Sequence, residues 1–131
     1  MHKIPQSYID LLQDEKKAFV VLSTLMSDGA PQATPVWFNT EHGFILINSA
    51  KGRTKDKNMR RCPQVALVIL DPQNPYRYIQ VRGRVIEMST QDAEAHIHQL
   101  SQKYTGHAYP LNPDEIRVKY KILPEFVTVS G

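Results

Sequence analysis

Between Lys51 and Arg61 stand six basic residues, Lys51, Arg53, Lys55, Lys57, Arg60 and Arg61, against one acid, Asp56. That window carries a net +5. With a formal charge of +3 over all 131 residues, the remainder sums to −2. One short segment therefore supplies the whole positive excess, which suits a local anionic ligand better than a broad nucleic-acid face. The residues around it sharpen this. In NSAKGRTKDKNMRR (48–61) a strand ends at Asn48-Ser49, Gly52 follows, and a helix is predicted to start near Thr54. Helix starts leave backbone N–H groups unpaired, and their dipole favours negative charge. Arg53 and Lys55 flank that start, while Ser49 and Thr54 offer hydroxyl donors. A solvated basic helix is the plainer account of a charge run. Phosphate is preferred because glycine, hydroxyls and cations coincide at one strand-to-helix junction.

A nucleic-acid surface is the rival use of the same charges. It needs a wider basic face with aromatic or groove-reading elements, and outside the segment the chain is net acidic. Trp37, preceded by Pro35 and Val36, is either a flat wall for an aromatic ring or a filler of the core. Proline has no N–H to give a neighbouring strand, so Pro35 marks an edge or an opening. No histidine qualifies as a ligand. His96 and His98, two apart on a predicted helix, face different sides, and His2, His42 and His107 are isolated. Cys62 is the only cysteine, which excludes an internal disulfide and a multi-cysteine zinc site. It stands beside Arg60 and Arg61, which favour a thiolate, but a bystander role is the better reading. No Walker loop, GxGxxG or Ser-His-Asp pattern is present. No metal is expected, and no side chain is assigned as acid or base.

These residues must be positioned by a mostly β scaffold. Residues 7–17 are predicted as a helix and residues 18–26 as a strand. Asp28-Gly29 is a hairpin signal, because glycine tolerates the positive φ of the turn. Strands over 32–39 and 44–48 complete a predicted three-strand meander. A polar helix begins at Thr54 and stops before Pro63. Residues 65–70, VALVIL, read as a buried central strand. Residues 76–88 form the longest strand candidate, with Tyr76, Tyr78, Gln80, Arg82 and Arg84 on one face and Arg77, Ile79, Val81 and Val85 on the other. A helix over 90–104 carries Ala93, Ile97 and Leu100 on one stripe. The final strand, 116–129, is expected to break at Pro124. Five or six strands with few helices imply a barrel or sandwich, not a doubly wound sheet.

The composition, 41% hydrophobic and 22% charged, is that of a globular chain, and 131 residues is a usual size for one domain. One domain over 1–131 is the expectation. The start, MHKIPQSYIDLLQDEKK, lacks the apolar core of a signal peptide, and no apolar run approaches the ~20 residues that span a membrane. The expected setting is cytoplasmic, with no membrane or nucleic-acid partner.

The stretches TLMSDGAPQATPVWFN, FILINSAKGRTKDKNMRRCPQVALVILDP and NPYRYIQVRGRV closely resemble the pyridoxamine 5′-phosphate oxidase-like split-barrel superfamily, and most of all its branch dependent on the deazaflavin coenzyme F-420. The resemblance is strongest over residues 24–87 and continues more weakly to the end. It implies a mainly β (α+β) fold, a six-stranded antiparallel split β-barrel with a few short helices. It further implies a homodimer with two cofactor sites at the subunit interface. Thr34, Pro35, Val36 and Trp37 would lie along the ring of a deazaflavin or FMN. Asn48 and Ser49 would contact its ring and tail. Arg53, Thr54 and Lys55 would hold its phosphate, with Asn58 one turn on. Tyr78 would reach the cofactor from the partner subunit, with Arg77 as a lesser alternative. The implied function is an oxidoreductase passing hydride to or from a small organic substrate. An FMN-binding reductase and a non-catalytic flavin carrier are the alternatives. The ending LPEFVTVSG lacks the arginine-rich motif and Glu-Phe-Trp of the vitamin-oxidising enzymes, so vitamin B6 oxidation is not implied.

Overall fold

A computed structural model describes residues 4–131. The chain opens with two short 3₁₀ segments, Gln6–Leu12 and Asp14–Lys16, in place of the expected single helix over 7–17. Gln13 is extended between them, and Lys17 takes a left-handed conformation at φ 50°. Only Leu11 of this stretch is fully buried, so packing does little to enforce a longer α-helix.

Seven strands follow: β1 (Phe19–Leu25), β2 (Pro31–Val36), β3 (Asn39–Glu41), β4 (Phe44–Ala50), then helix α1 (Thr54–Arg61), β5 (Gln64–Asp71), β6 (Asn74–Ser89), helix α2 (Ala93–Thr105) and β7 (Arg117–Ser130). They form one sheet in the order β2-β1-β5-β6-β7-β4-β3, with every neighbouring pair antiparallel. The sheet thus has seven strands, not six. The extra one arises because the expected strand over 32–39 divides at Trp37-Phe38. Phe38 is completely buried, and its carbonyl accepts a 2.7 Å hydrogen bond from the Lys103 ammonium, which pins the crossing. The expected meander does not form. β2 pairs with β1 at one end of the sheet, and β3 pairs with β4 at the other. Pro31 and Pro35 sit on a terminal strand, where a missing N–H costs nothing.

Strand alternation builds the core. β1 buries Val20, Leu22 and Thr24, while β5 buries Val65, Leu67 and Ile69. β6 buries Ile79, Val81 and Val85 and exposes Gln80, Arg82 and Arg84, as its pattern predicts. Arg77 is committed elsewhere: it pairs with Asp10 at 2.7 Å and Asp71 at 3.0 Å, tying the first 3₁₀ segment to the sheet. The expected break at Pro124 is absorbed as a bulge, leaving β7 continuous. The β6–β7 register shifts between Arg82 and Gly83, and Gly83 faces Pro124. A Cβ at Gly83 would collide with the Leu123 carbonyl, so only glycine fits there. No helix among the described residues is long and apolar enough to cross a membrane.

Candidate functional site

The site starts from how α1 is fixed. Asp56 is buried, and it accepts hydrogen bonds from the Gly52 N–H at 2.9 Å, from Arg60 Nε at 3.0 and 3.1 Å, and from the Tyr120 hydroxyl at 2.6 Å. Burial pushes its carboxyl up, but the bonds from Arg60, Gly52 and Tyr120 together hold it below the ordinary carboxylate range. Burial, reinforced by Asp56, pushes the Tyr120 hydroxyl strongly up. Gly52 reaches φ 92°, a conformation glycine adopts freely, and so turns the chain into the helix. Asn58 anchors the same helix to β1: its Nδ2 donates to Thr24 Oγ1 at 3.0 Å and approaches Met26 Sδ at 3.3 Å. The cap residue Arg53 makes no side-chain capping bond, and the first intrahelical bond is Lys57 N–H to Arg53 O. The amides of Thr54, Lys55 and Asp56 therefore have no acceptor within the helix.

Beside this helix start lies a cavity of about 410 Å³. One end of the sheet contributes Pro35, Val36 and the adjoining Trp37. The other contributes Asn48 and Ser49 from β4, Arg53 and Lys55 at the start of α1, and Arg117 at the start of β7. Phe19 and Val20 of β1, Ile97, Leu100 and Tyr104 of α2, and Tyr109 complete the wall. Of the residues expected to touch a cofactor, Pro35, Val36, Trp37, Asn48, Ser49, Arg53 and Lys55 are thus brought together. Thr34, Thr54, Asn58 and Tyr78 do not line the cavity. Thr34 is half-buried on β2, Thr54 is exposed at the first helical position, and Tyr78 is half-buried on β6. Asn58 is buried with its amide engaged by β1.

The cavity has an aromatic wall and a cationic one. Trp37 stacks on Tyr104 with centroids 5.4 Å apart and planes 8° from parallel, while Tyr109 meets Trp37 edge-on at 6.4 Å. The Tyr104 hydroxyl donates to Ala18 O at 2.9 Å, and burial pushes it up to about 12. On the other side stand Arg53, Lys55 and Arg117, and one carboxylate, Glu115, pairs with the two arginines. Arg53 donates to Glu115 Oε2 at 2.6 Å, and Arg117 Nη1 lies 3.5 Å from Oε1. Arg117 is buried, donates from Nε to Asn48 Oδ1 at 2.9 Å, and sits over the Tyr109 ring at 5.1 Å. Lys55 has no ion pair or hydrogen bond among the described residues. Burial first, then the neighbouring Arg53 and Arg117, lower its ammonium from the ordinary lysine value. Ser49 Oγ is buried with no hydrogen-bond partner, the one side-chain polar atom in that state among the described residues. An unpaired half-buried ammonium and an orphaned buried hydroxyl both face the same space. A phosphate supplies what each lacks.

A polar relay stands behind this wall. Asn48 Nδ2 donates to Ala93 O at 2.9 Å and to His96 Nδ1 at 3.1 Å, and His96 Nε2 is 2.9 Å from Asn39 Oδ1. Nδ1 is therefore the acceptor and Nε2 carries the proton, which fixes one neutral tautomer. Burial, with a smaller effect of Lys119, pushes His96 down to about 4. The relay holds Asn48, and through it Arg117, in one orientation.

Sequence reasoning missed Arg117, Tyr104 and Tyr109. Tyr104 carried a signal, because it extends the helical stripe of Ile97 and Leu100. Arg117 carried none: only the β4–β7 register, which sets Arg117 opposite Ala50, brings it to the site. Tyr109 lies in a loop without periodicity.

Comparison with known proteins places this architecture. The family model described as pyridoxamine 5′-phosphate oxidase matches residues 9–127. The chain belongs to that family, within its split-barrel superfamily. No curated protein matches it. A solved F420 reductase is 30% identical with a TM-score of 0.85, over 95% of this chain and 98% of that one. The conserved hypothetical protein Rv2991 from Mycobacterium tuberculosis is 20% identical with a TM-score of 0.72, over 98% and 85%. HutZ, the heme storage protein from Vibrio cholerae, is 14% identical with a TM-score of 0.69, over 96% and 94%. The last two likenesses show the fold alone.

Proposed function

We propose that this protein is an oxidoreductase that binds a phosphorylated flavin-type cofactor in the 410 Å³ cavity and passes hydride between it and a small organic substrate. The observation that carries the reading is the pairing of an aromatic wall with a partnerless Lys55 beside Arg53 and Arg117. Pro35, Val36 and Trp37 would lie along the ring, and Ser49, Lys55 and the two arginines would hold the phosphate. The deazaflavin F-420 is favoured over FMN, supported by the near full-length likeness to an F420 reductase. The cofactor supplies the hydride chemistry; the protein binds it, orients it and excludes water. No cavity residue is assigned as a proton carrier. Tyr104 is held protonated and bonded to Ala18, and His96 has both ring nitrogens engaged. The functional unit in this reading is a homodimer, with Tyr78 completing the partner's site.

The test is titration of the purified protein with F-420 and with FMN, followed by single-turnover assays of the reduced complex against a panel of small acceptors. F-420 should bind more tightly, and reoxidation should accelerate with an acceptor. Binding of neither cofactor would overturn the reading. Binding without turnover of any acceptor would make the protein a carrier.

A further inference from the structure

The cationic wall already holds an anion, and it belongs to the chain. Glu115 lies two residues before β7 in the loop that follows α2, where its backbone N–H donates to Asn112 O at 3.0 Å and closes a turn. Its two carboxylate oxygens address guanidinium groups on separate elements, Arg53 at 2.6 Å and Arg117 at 3.5 Å. Oxygens fanned between two guanidinium groups are also what a phosphate presents; Glu115 does not itself line the main cavity, so it competes for the Arg53 guanidinium, not for the space. Lys55 and the Ser49 hydroxyl receive nothing from Glu115.

We propose that Glu115 is a specificity-determining residue, an internal carboxylate that a ligand's phosphate must displace from Arg53, and that it thereby sets how strongly the site separates phosphorylated from unphosphorylated ligands. This rests on the phosphate-site reading above and goes beyond it. The exchange is geometrically open. The Glu115 side chain is 24% exposed and borders another hollow of about 260 Å³, which shares Arg117 with the main cavity. That hollow is lined by Asp92 and Glu94, whose negative charge disfavours the displaced carboxylate and returns it to Arg53 when no ligand is present. Arg117 is not released in the exchange, because Asn48 holds its Nε. A phosphate entering the site therefore finds Arg117 and Lys55 in place and competes with Glu115 chiefly for Arg53, the 2.6 Å partner, and less for Arg117 at 3.5 Å.

FMN and riboflavin, which differ only in the phosphate, are titrated into the wild type, Glu115→Gln and Glu115→Asp, with inorganic phosphate as competitor. Breaking a half-exposed ion pair is a small cost, so Glu115→Gln should bind FMN about two- to fivefold more tightly and be more sensitive to phosphate competition. Riboflavin affinity should not change, and Glu115→Asp, which keeps the charge, should not gain the tighter binding. If Glu115→Gln binds FMN equally or more weakly while the wild type still prefers FMN to riboflavin, the carboxylate merely props the two arginines and this proposal fails. If the wild type binds FMN no better than riboflavin, the phosphate site itself fails.

Discussion

Lys55→Met keeps the aliphatic stem and deletes the charge, and it should move affinity and stability in opposite senses. In the ligand-free protein the ammonium is half-buried, has no partner and stands near Arg53 and Arg117. Its charge is therefore a burden on the empty fold, so the variant should unfold at the same temperature as the wild type or higher. With a phosphate present the balance reverses. A hydrogen bond between charged groups contributes roughly 1.5–3 kcal/mol, so its loss should weaken binding about 10- to 150-fold. Arg53→Ala should cost less, because Arg53 is half-exposed and already spends part of its charge on Glu115. Affinity should also decline on the alkaline side below the ordinary lysine value of 10.5, since the lowered Lys55 loses its proton early. The assay is cofactor titration with and without the phosphate, beside thermal unfolding of the ligand-free protein, with Lys57→Ala as the exposed control. Equal losses for Lys55→Met and Lys57→Ala would refute the reasoning, leaving general electrostatics. So would an equal loss for the dephosphorylated ligand.

Other outcomes follow from the same structure. His96 is pushed from 6.5 to about 4, so below pH 6.5 the unfolded chain takes up a proton that the folded chain refuses. Stability should fall by about 2–3 kcal/mol between pH 7 and pH 4.5, and urea titrations of His96→Gln should show a shallower fall. Gly83→Ala should destabilise by about 1–3 kcal/mol, because the new methyl meets the Leu123 backbone, which cannot swing aside. An unchanged urea midpoint would mean that the β6–β7 bulge relaxes freely. Sedimentation should give a dimer at micromolar concentration, with an interface of roughly 2,000 Å² or more. A stable monomer would remove Tyr78 from the site.

What was legible in the sequence was whatever depends on local repetition. The two faces of β6 could be read from alternation, and the start of α1 from glycine, hydroxyls and charge side by side. The joining of Ser49 to Arg53 and Lys55 was legible for the same reason, since a few residues of chain connect them. Long-range geometry was not. Residues 32–39 look like one β-rich run, and nothing local says that Phe38 turns into the core and sends the chain to the far end of the sheet. Arg117 reads as the unremarkable opening of a strand until β7 is laid beside β4. Asn58 shows the limit of a resemblance: likeness to relatives set it one turn beyond the phosphate motif, and only the packed fold shows its amide engaged by Thr24.

The cavity takes its walls from β2 at one end of the strand order and from Asn48 and Ser49 of β4, last but one at the other end and beyond the stretch that pairs with β3; the two segments share no hydrogen-bonded register. A molecule seated there works as a clasp between two free margins. It adds little to the β5–β6–β7 centre, which is already laced on both sides. Its mechanical effect falls on the periphery, where fraying starts. Occupancy at a hundredfold excess over Kd adds about 2.7 kcal/mol against any opening that empties the site. Amide exchange in β2 should therefore slow with saturation while that of β6 scarcely changes. Ligand affinity and the free energy of opening that margin are then one quantity, read at two places.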